Sequence, residues 1–116
     1  MADAPMTVVE TERFLKDAKP MMSDLERERL VIFVGANPAA GEIIPEAGGV
    51  RKLRWALAGR GKRSGARIIY YYHGERVPLF LLAAYTKGEK ANLSKAERNA
   101  MKRLTSVMVV GYPAEK

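Results

Sequence analysis

Val50-Arg51-Lys52-Leu53-Arg54-Trp55-Ala56-Leu57 repeats with a period of two: Leu53, Trp55 and Leu57 point one way, Lys52, Arg54 and Ala56 the other. This is the pattern of a strand with one apolar face and a cationic reverse. Gly59-Arg60-Gly61-Lys62-Arg63-Ser64-Gly65 follows as a charged hairpin connection, and Ala66 to His73 reads as the next strand. Gly74 to Arg76 turns the chain again. Val77 to Tyr85 is nearly all apolar, as an interior strand requires, with Pro78 at its start, where a missing N–H matters least. Three consecutive strands therefore form an antiparallel meander.

Outward from the meander, the remaining segments read as helices. Met6 to Val9 is a short β-prone run leading into a helical stretch, Glu10 to Ala18, which Pro20 stops. Ser23-Asp24-Leu25-Glu26 has capping-box spacing, with a hydroxyl at the cap and a carboxylate three residues on, and opens a second helix ending near Gly35. Asn37-Pro38, Gly41, Pro45 and Gly48-Gly49 mark a loop. Ser94-Lys95-Ala96-Glu97 repeats the capping box ahead of a last helix, in which Ala100, Met101, Leu104 and Val107 share a face. Val107 to Tyr112 either prolongs that helix or leaves as a tail. The expected fold class is α+β: an antiparallel meander with two N-terminal helices and one C-terminal helix. One domain over 1–116 is expected, with tails at 1–5 and about 108–116.

At 116 residues and 47% hydrophobic content the chain suits one core. Twenty Lys and Arg against thirteen Asp and Glu give a formal charge of +7, which favours a polyanionic partner, nucleic acid first. The absence of cysteine removes disulfides, thiolate chemistry and cysteine-ligated zinc, and suits a reducing compartment such as the cytoplasm. Met1 to Glu10 lacks the features of a signal peptide, and no apolar run reaches ~18 residues, so no membrane role is expected.

Arg51, Lys52, Arg54, Arg60, Lys62, Arg63 and Arg67 put seven cations into seventeen positions with no acidic residue among them. Lys52 and Arg54 on one strand and Arg67 on its neighbour can meet on one sheet face as a phosphate cradle. Solvated side chains on an open sheet face are the alternative. Tyr71 shares the face of Arg67 by alternation, Tyr70 and Tyr72 the face of Ile68. Tyr85 ends its strand, where a ring can be half exposed for stacking and its hydroxyl can reach a phosphate. A single histidine, His73, excludes a two-histidine acid–base pair, so proton transfer falls to Lys, Arg or Tyr. With no Cys, one His and scattered carboxylates, no metal site and no cofactor are expected; Walker-type and GxGxxG loops are missing.

Gly48-Gly49-Val50-Arg51-Lys52-Leu53-Arg54, Gly61-Lys62-Arg63-Ser64-Gly65-Ala66-Arg67-Ile68-Ile69-Tyr70-Tyr71 and Leu81-Leu82-Ala83-Ala84-Tyr85-Thr86-Lys87 through Leu93-Ser94 resemble the HigB-type branch of the RelE toxins. The resemblance runs in order from roughly Glu42 to Leu104. It implies a metal-independent endoribonuclease that cuts messenger RNA in the ribosomal A site, through attack of the 2′-OH on the adjacent phosphate. It also implies a cognate antitoxin, itself a DNA-binding protein and the only route to operator DNA. Lys52 and Arg54 resemble the paired strand cations, Arg67 the transition-state arginine, and Lys87 the cation after the last strand. Tyr85 is the candidate for base stacking or proton transfer, and Arg51, Lys62, Arg63 and Lys90 the candidates for holding RNA backbone or ribosome.

Where the family often has a lysine this chain has Arg54, too basic to be a general base, which leaves Lys52 or a non-classical base. The catalytic tyrosine near the C terminus of some members has no secure counterpart, since Tyr112 stands on the tail. ParE-type toxins share the fold and target DNA gyrase instead, so the fold alone does not decide activity. A gyrase-directed toxin, a basic binding protein that cuts nothing, and an inactive chain kept only as an antitoxin-binding partner are the competing readings.

Overall fold

A computed structural model of the chain describes residues 5–58, 65–89 and 92–111. Within them the order is β1 (Val8–Glu10), α1 (Glu12–Ala18), α2 (Asp24–Ala36), β2 (Glu42–Ile43), β3 (Val50–Trp55), β4 (Ala66–Tyr71), β5 (Leu79–Thr86) and α3 (Lys95–Val110). The expected α+β architecture is present. The strands make one sheet in the order β1-β5-β4-β3-β2, antiparallel except where β1 runs parallel to β5. Strand β2 falls inside the stretch read as loop: two residues are too few to show a period, and only pairing with β3 defines them.

The sheet is covered on both sides. Helices α1 and α2 lie on one face, where Phe14, Leu30 and Val34 pack on Leu53, Ile68, Tyr70, Leu79 and Leu81. Helix α3 lies on the other, where Leu93 and Met101 pack with Val50, Ile69, Tyr71, Phe80, Leu82 and Tyr85. A strand buried on both faces favours apolar residues at nearly every position, which explains the hydrophobicity of β4 and β5 and sets apart Arg67, the one charged residue in either strand.

Local chemistry fixes the helices. Both expected capping boxes form, Ser23 with Glu26 and Ser94 with Glu97, satisfying backbone donors that the first turn leaves open. Thr11 caps α1 by accepting from the Phe14 N–H, and its hydroxyl donates to the Leu81 carbonyl at 2.7 Å, tying the helix to β5. Beyond the reach of β1, Asp17 Oδ2 accepts from the Ala84 N–H at 3.0 Å, so a side chain replaces a neighbouring strand along that edge.

Helix α3 continues through Val110, with Met108 and Val109 against the core, which settles in favour of helix the choice open at Val107. Its buried side differs from the one expected. Met101 and Thr105 are buried, whereas Leu104 and Val107 are 43% and 69% exposed and Ala100 is exposed. Gly48, at φ +72°, brings bare backbone against Thr105 and Lys102, so the 48–49 turn lies close to this side of the helix.

Candidate active site on the sheet face beneath helix α3

Register assembles the site. Across β3 and β4 Arg54 stands directly opposite Arg67, and across β4 and β5 Arg67 stands directly opposite Tyr85. Directly opposed residues share a face with Cβ atoms about 4.5–5.5 Å apart, so the three form one row across the sheet. Lys52, two residues from Arg54, lies on the same face one row along. The expected convergence of Lys52, Arg54 and Arg67 is present, on the α3 side.

Tyr85 joins them through a β-bulge. The β4–β5 register shifts between Ile69 and Tyr70, and Leu82 and Ala83 both fall on the α3 side. With strict alternation from Phe80 and Leu82, position 84 would face α3 and Tyr85 would face α1; the extra residue reverses this. Single-sequence alternation carries no sign of a bulge in so apolar a run, and only the pairing with β4 reveals it.

The row grades from solvent to interior. Arg54 is exposed, Arg67 is 6% exposed and Tyr85 4%. The half-exposed ring expected for Tyr85 is thus corrected: Leu93, Met101 and the neighbouring strands enclose it, so no base stacks on it in this conformation. Burial pushes its hydroxyl above the ordinary tyrosine value, with Arg67 pulling it down and Glu97 pushing it up. It is a protonated donor at neutral pH. Two arginines directly opposed on adjacent strands concentrate positive charge at this end of the row, where an anion can bind.

The other candidates scatter. Arg51, expected among the RNA-holding cations, alternates onto the opposite face, where its guanidinium donates to the Gly41 carbonyl at 2.8 Å and lies 5.8 Å from the Tyr72 ring centre. It braces the 37–49 loop. Lys87 is exposed in the tight turn after β5, closed by Thr86 N–H to Glu89 Oε1 at 2.7 Å. Lys62, Arg63 and Lys90, together with Tyr112, lie outside the described residues. His73 meets the Tyr71 hydroxyl at 3.1 Å, at the far end of β4 from Arg67. Among the described residues no three His, Asp or Glu side chains gather as metal ligands, and no helix is long and apolar enough to cross a membrane.

Sequence reasoning missed Glu97 and Asn92. Glu97, already read as a capping residue, adds its charge to the environment of Tyr85, and Asn92 Oδ1 accepts from Lys52 Nζ at 3.2 Å. Neither has a sequence signal, because both reach the site from the approach to α3 and its first turn.

A protein-family model described as RelE toxin of RelE / RelB toxin-antitoxin system matches residues 6–113. The chain belongs to the RelE toxin family. As a RelE-family toxin it is the toxin member of a toxin–antitoxin pair, and its cognate partner is an antitoxin of the RelB kind. The match spans every strand and helix described, so the row Arg54–Arg67–Tyr85 lies within the family's domain.

Proposed function

We propose that this RelE-family toxin is a ribosome-dependent endoribonuclease of the HigB-type branch, cutting messenger RNA without a metal ion. The observation that carries this reading is the row of Arg54, Arg67 and Tyr85 in direct register, with Lys52 beside it on the same face. In-line attack forms the bond from the 2′-oxygen to phosphorus and breaks the bond to the 5′-oxygen, leaving a 2′,3′-cyclic phosphate and a 5′-hydroxyl. Arg54 and Arg67 take the charge that develops on the phosphoryl oxygens. Tyr85, held protonated by burial, donates to the departing 5′-oxygen. Lys52, the amine on this face, takes the 2′-OH proton in its uncharged form, a role Arg54 cannot fill because a guanidinium stays charged. Lys87, with Lys62, Arg63 and Lys90, supplies contacts to backbone or ribosome, a role now withdrawn from Arg51. The antitoxin is a DNA-binding protein and carries the pair to its operator.

The test is to induce the chain in a bacterium and map new messenger 5′ ends, for wild type and for Arg67→Ala, and to repeat the digestion on naked RNA. Cleavage in translated frames that needs the ribosome and vanishes with Arg67 is the expected result. Growth arrest with intact messengers would sink the proposal. That outcome would favour the non-cleaving, gyrase-directed reading, which has one observation on its side: Arg67 and Tyr85 are almost closed to solvent in the unbound protein.

A further inference from the structure

The edge of β5 shows how Tyr85 comes to face α3. Along a strand, the face a side chain takes and the edge its backbone groups point to alternate together. The Leu79 N–H donates to the Thr7 carbonyl, the Leu81 carbonyl accepts from Thr11, and the Ala84 N–H donates to Asp17; all three residues face α1 and α2. The Thr86 N–H, next in the series, donates to Glu89 Oε1 at 2.7 Å. The outward positions are therefore 79, 81, 84 and 86, and the extra residue between 81 and 84 is the bulge. Tyr85 stands between the last two, so its backbone groups point to β4 and its ring to α3.

We propose that Asp17 and Glu89 are positioning residues: by holding the backbone N–H groups on either side of Tyr85, they fix the bulged register that turns its ring to the face of the Arg54–Arg67 row. The inference rests on the ribonuclease reading above and adds to it two residues that act through Tyr85. Without the bulge the Tyr85 N–H would point outward, the Ala84 and Thr86 N–H groups would turn to β4, and both carboxylates would lose their donors. The two hydrogen bonds exist only in the register that serves the row.

Side-chain polarity does not choose this register. Residues 79–85 are all apolar and both faces of β5 are covered, so a slip by one residue exchanges one apolar set for another. Nor do the two donors need carboxylates for their own sake. Asp17, Glu89 and Tyr85 border one cleft of about 260 Å3, the Asp17 side chain is 28% exposed and Glu89 is exposed, so water reaches this edge and can satisfy an N–H there. A charged acceptor holds an N–H roughly twice as strongly as a neutral one. The two acceptors come from separate elements, α1 and the turn after β5, and close on the two residues that flank Tyr85. Arg13 lies 3.6 Å from Asp17 Oδ2 with its own side chain 60% exposed, and so open an ion pair contributes little. The acceptor oxygen is what counts.

The experiment measures kcat and KM on purified ribosomes programmed with one message. It compares wild type with the double variant Asp17→Ala, Glu89→Ala and with Asp17→Asn, Glu89→Gln, which keeps an acceptor oxygen at each place. Thr11→Ala, which loses the tie to the Leu81 carbonyl ahead of the bulge, is the control. The alanine pair is expected to lower kcat about tenfold to 10²-fold with KM within about twofold, as misplacing a reacting group does, and the amide pair to recover to within about threefold of wild type. Thr11→Ala should cleave like wild type per folded molecule. NMR of the free toxin reads the register without any cleavage: contacts of the Tyr85 ring with Leu93 and Met101, present in wild type and the amide pair, should weaken in the alanine pair. Should the alanine pair not fold, Glu89→Ala alone, at an exposed residue outside the helices, carries the same two readouts. An alanine variant that keeps those contacts and cuts at the wild-type rate overturns the positioning role while leaving the ribonuclease standing, as does an amide pair as slow as the alanine pair. A wild type that cuts no message overturns the ribonuclease reading, and the positioning role with it.

Discussion

The two faces of the sheet use the same residue types for different ends. On the α1/α2 side stand Arg51 and Tyr70, and on the α3 side Arg67 and Tyr85; both pairs are arginine and tyrosine on neighbouring strands, and both tyrosines are buried. Tyr70 is occupied with structure: its hydroxyl accepts from the Gly41 N–H at 2.8 Å and donates to the Pro38 carbonyl at 2.7 Å, while Arg51 holds the Gly41 carbonyl. The pair stitches a loop to the sheet. On the other side the row Arg54–Arg67–Tyr85 sets two cations face to face and brings a protonated phenol beside them. The residue types match across the sheet and both tyrosines are buried, though Arg51 is only half-buried where Arg67 is buried. What separates a fastening from a candidate reaction centre is the set of groups that register brings opposite each side chain.

The largest expected effect tests that separation directly. Arg67→Ala is expected to lower ribosome-dependent cleavage by roughly 10²–10³-fold, the range for removing one donor to a developing oxyanion, and to abolish growth inhibition while antitoxin binding persists. A folded Arg67→Ala protein with wild-type toxicity would erase the difference between the faces. Next comes Tyr85→Phe, for which single-turnover cleavage should slow by roughly 10²-fold, as for loss of a general acid. A rate within a factor of about two of wild type would move the proton donor elsewhere.

The sequence carried much of this and hid the remainder for definable reasons. The period of two in 50–57, the two capping boxes and the placement of Lys52, Arg54 and Arg67 on one face were readable because each depends on near neighbours in the chain. The exposure of Tyr85 was misjudged because a strand end is an open place only if nothing lies over it, and α3 does. The bulge at Leu82–Ala83 and the contact of Gly48 with α3 are likewise properties of paired segments. Arg51 counted as one more cation in a basic run; alternation alone would have set it apart, since it is one residue from Lys52.

Gly48→Ala probes how firmly α3 is seated over the row. A Cβ there would lie 2.5 Å from Thr105 Oγ1 and 2.9 Å from Lys102 Cα, and the residue holds φ +72°. The substitution should cost about 1–3 kcal/mol in denaturant unfolding, as overpacking does. If α3 gives way first, amide exchange along 101–110 should quicken before that of β3 and β4, whereas uniform exchange would show that the helix and sheet open together. Smaller again is Tyr70→Phe, which leaves the Gly41 N–H and Pro38 carbonyl without the hydroxyl and is expected to cost about 1–2 kcal/mol. Cleavage per folded molecule should stay near wild type, the reverse of Tyr85→Phe.

The smallest effect appears only in alkali and weighs both faces at once. Burial first pushes Tyr70, Tyr71 and Tyr85 above the ordinary tyrosine value of 10.0; the Gly41 N–H and Arg51 pull Tyr70 back, and Arg67 pulls Tyr85 back. In the unfolded chain these phenols lose their protons near the ordinary value, so the folded state binds them more tightly. The stability they contribute is fully present below that pH and is lost as pH rises through and beyond it. Unfolding free energy should therefore be unaffected by these groups from neutrality to about pH 9 and fall above about pH 10. Tyrosinate absorbance should rise together with loss of the fold. Tyr70→Phe and Tyr85→Phe should each flatten the decline, and comparing the two slopes tells which face resists ionisation more. A phenol that titrates at its ordinary value in the intact fold would show that water reaches it, and for Tyr85 that would mean α3 already lifts from the row without RNA.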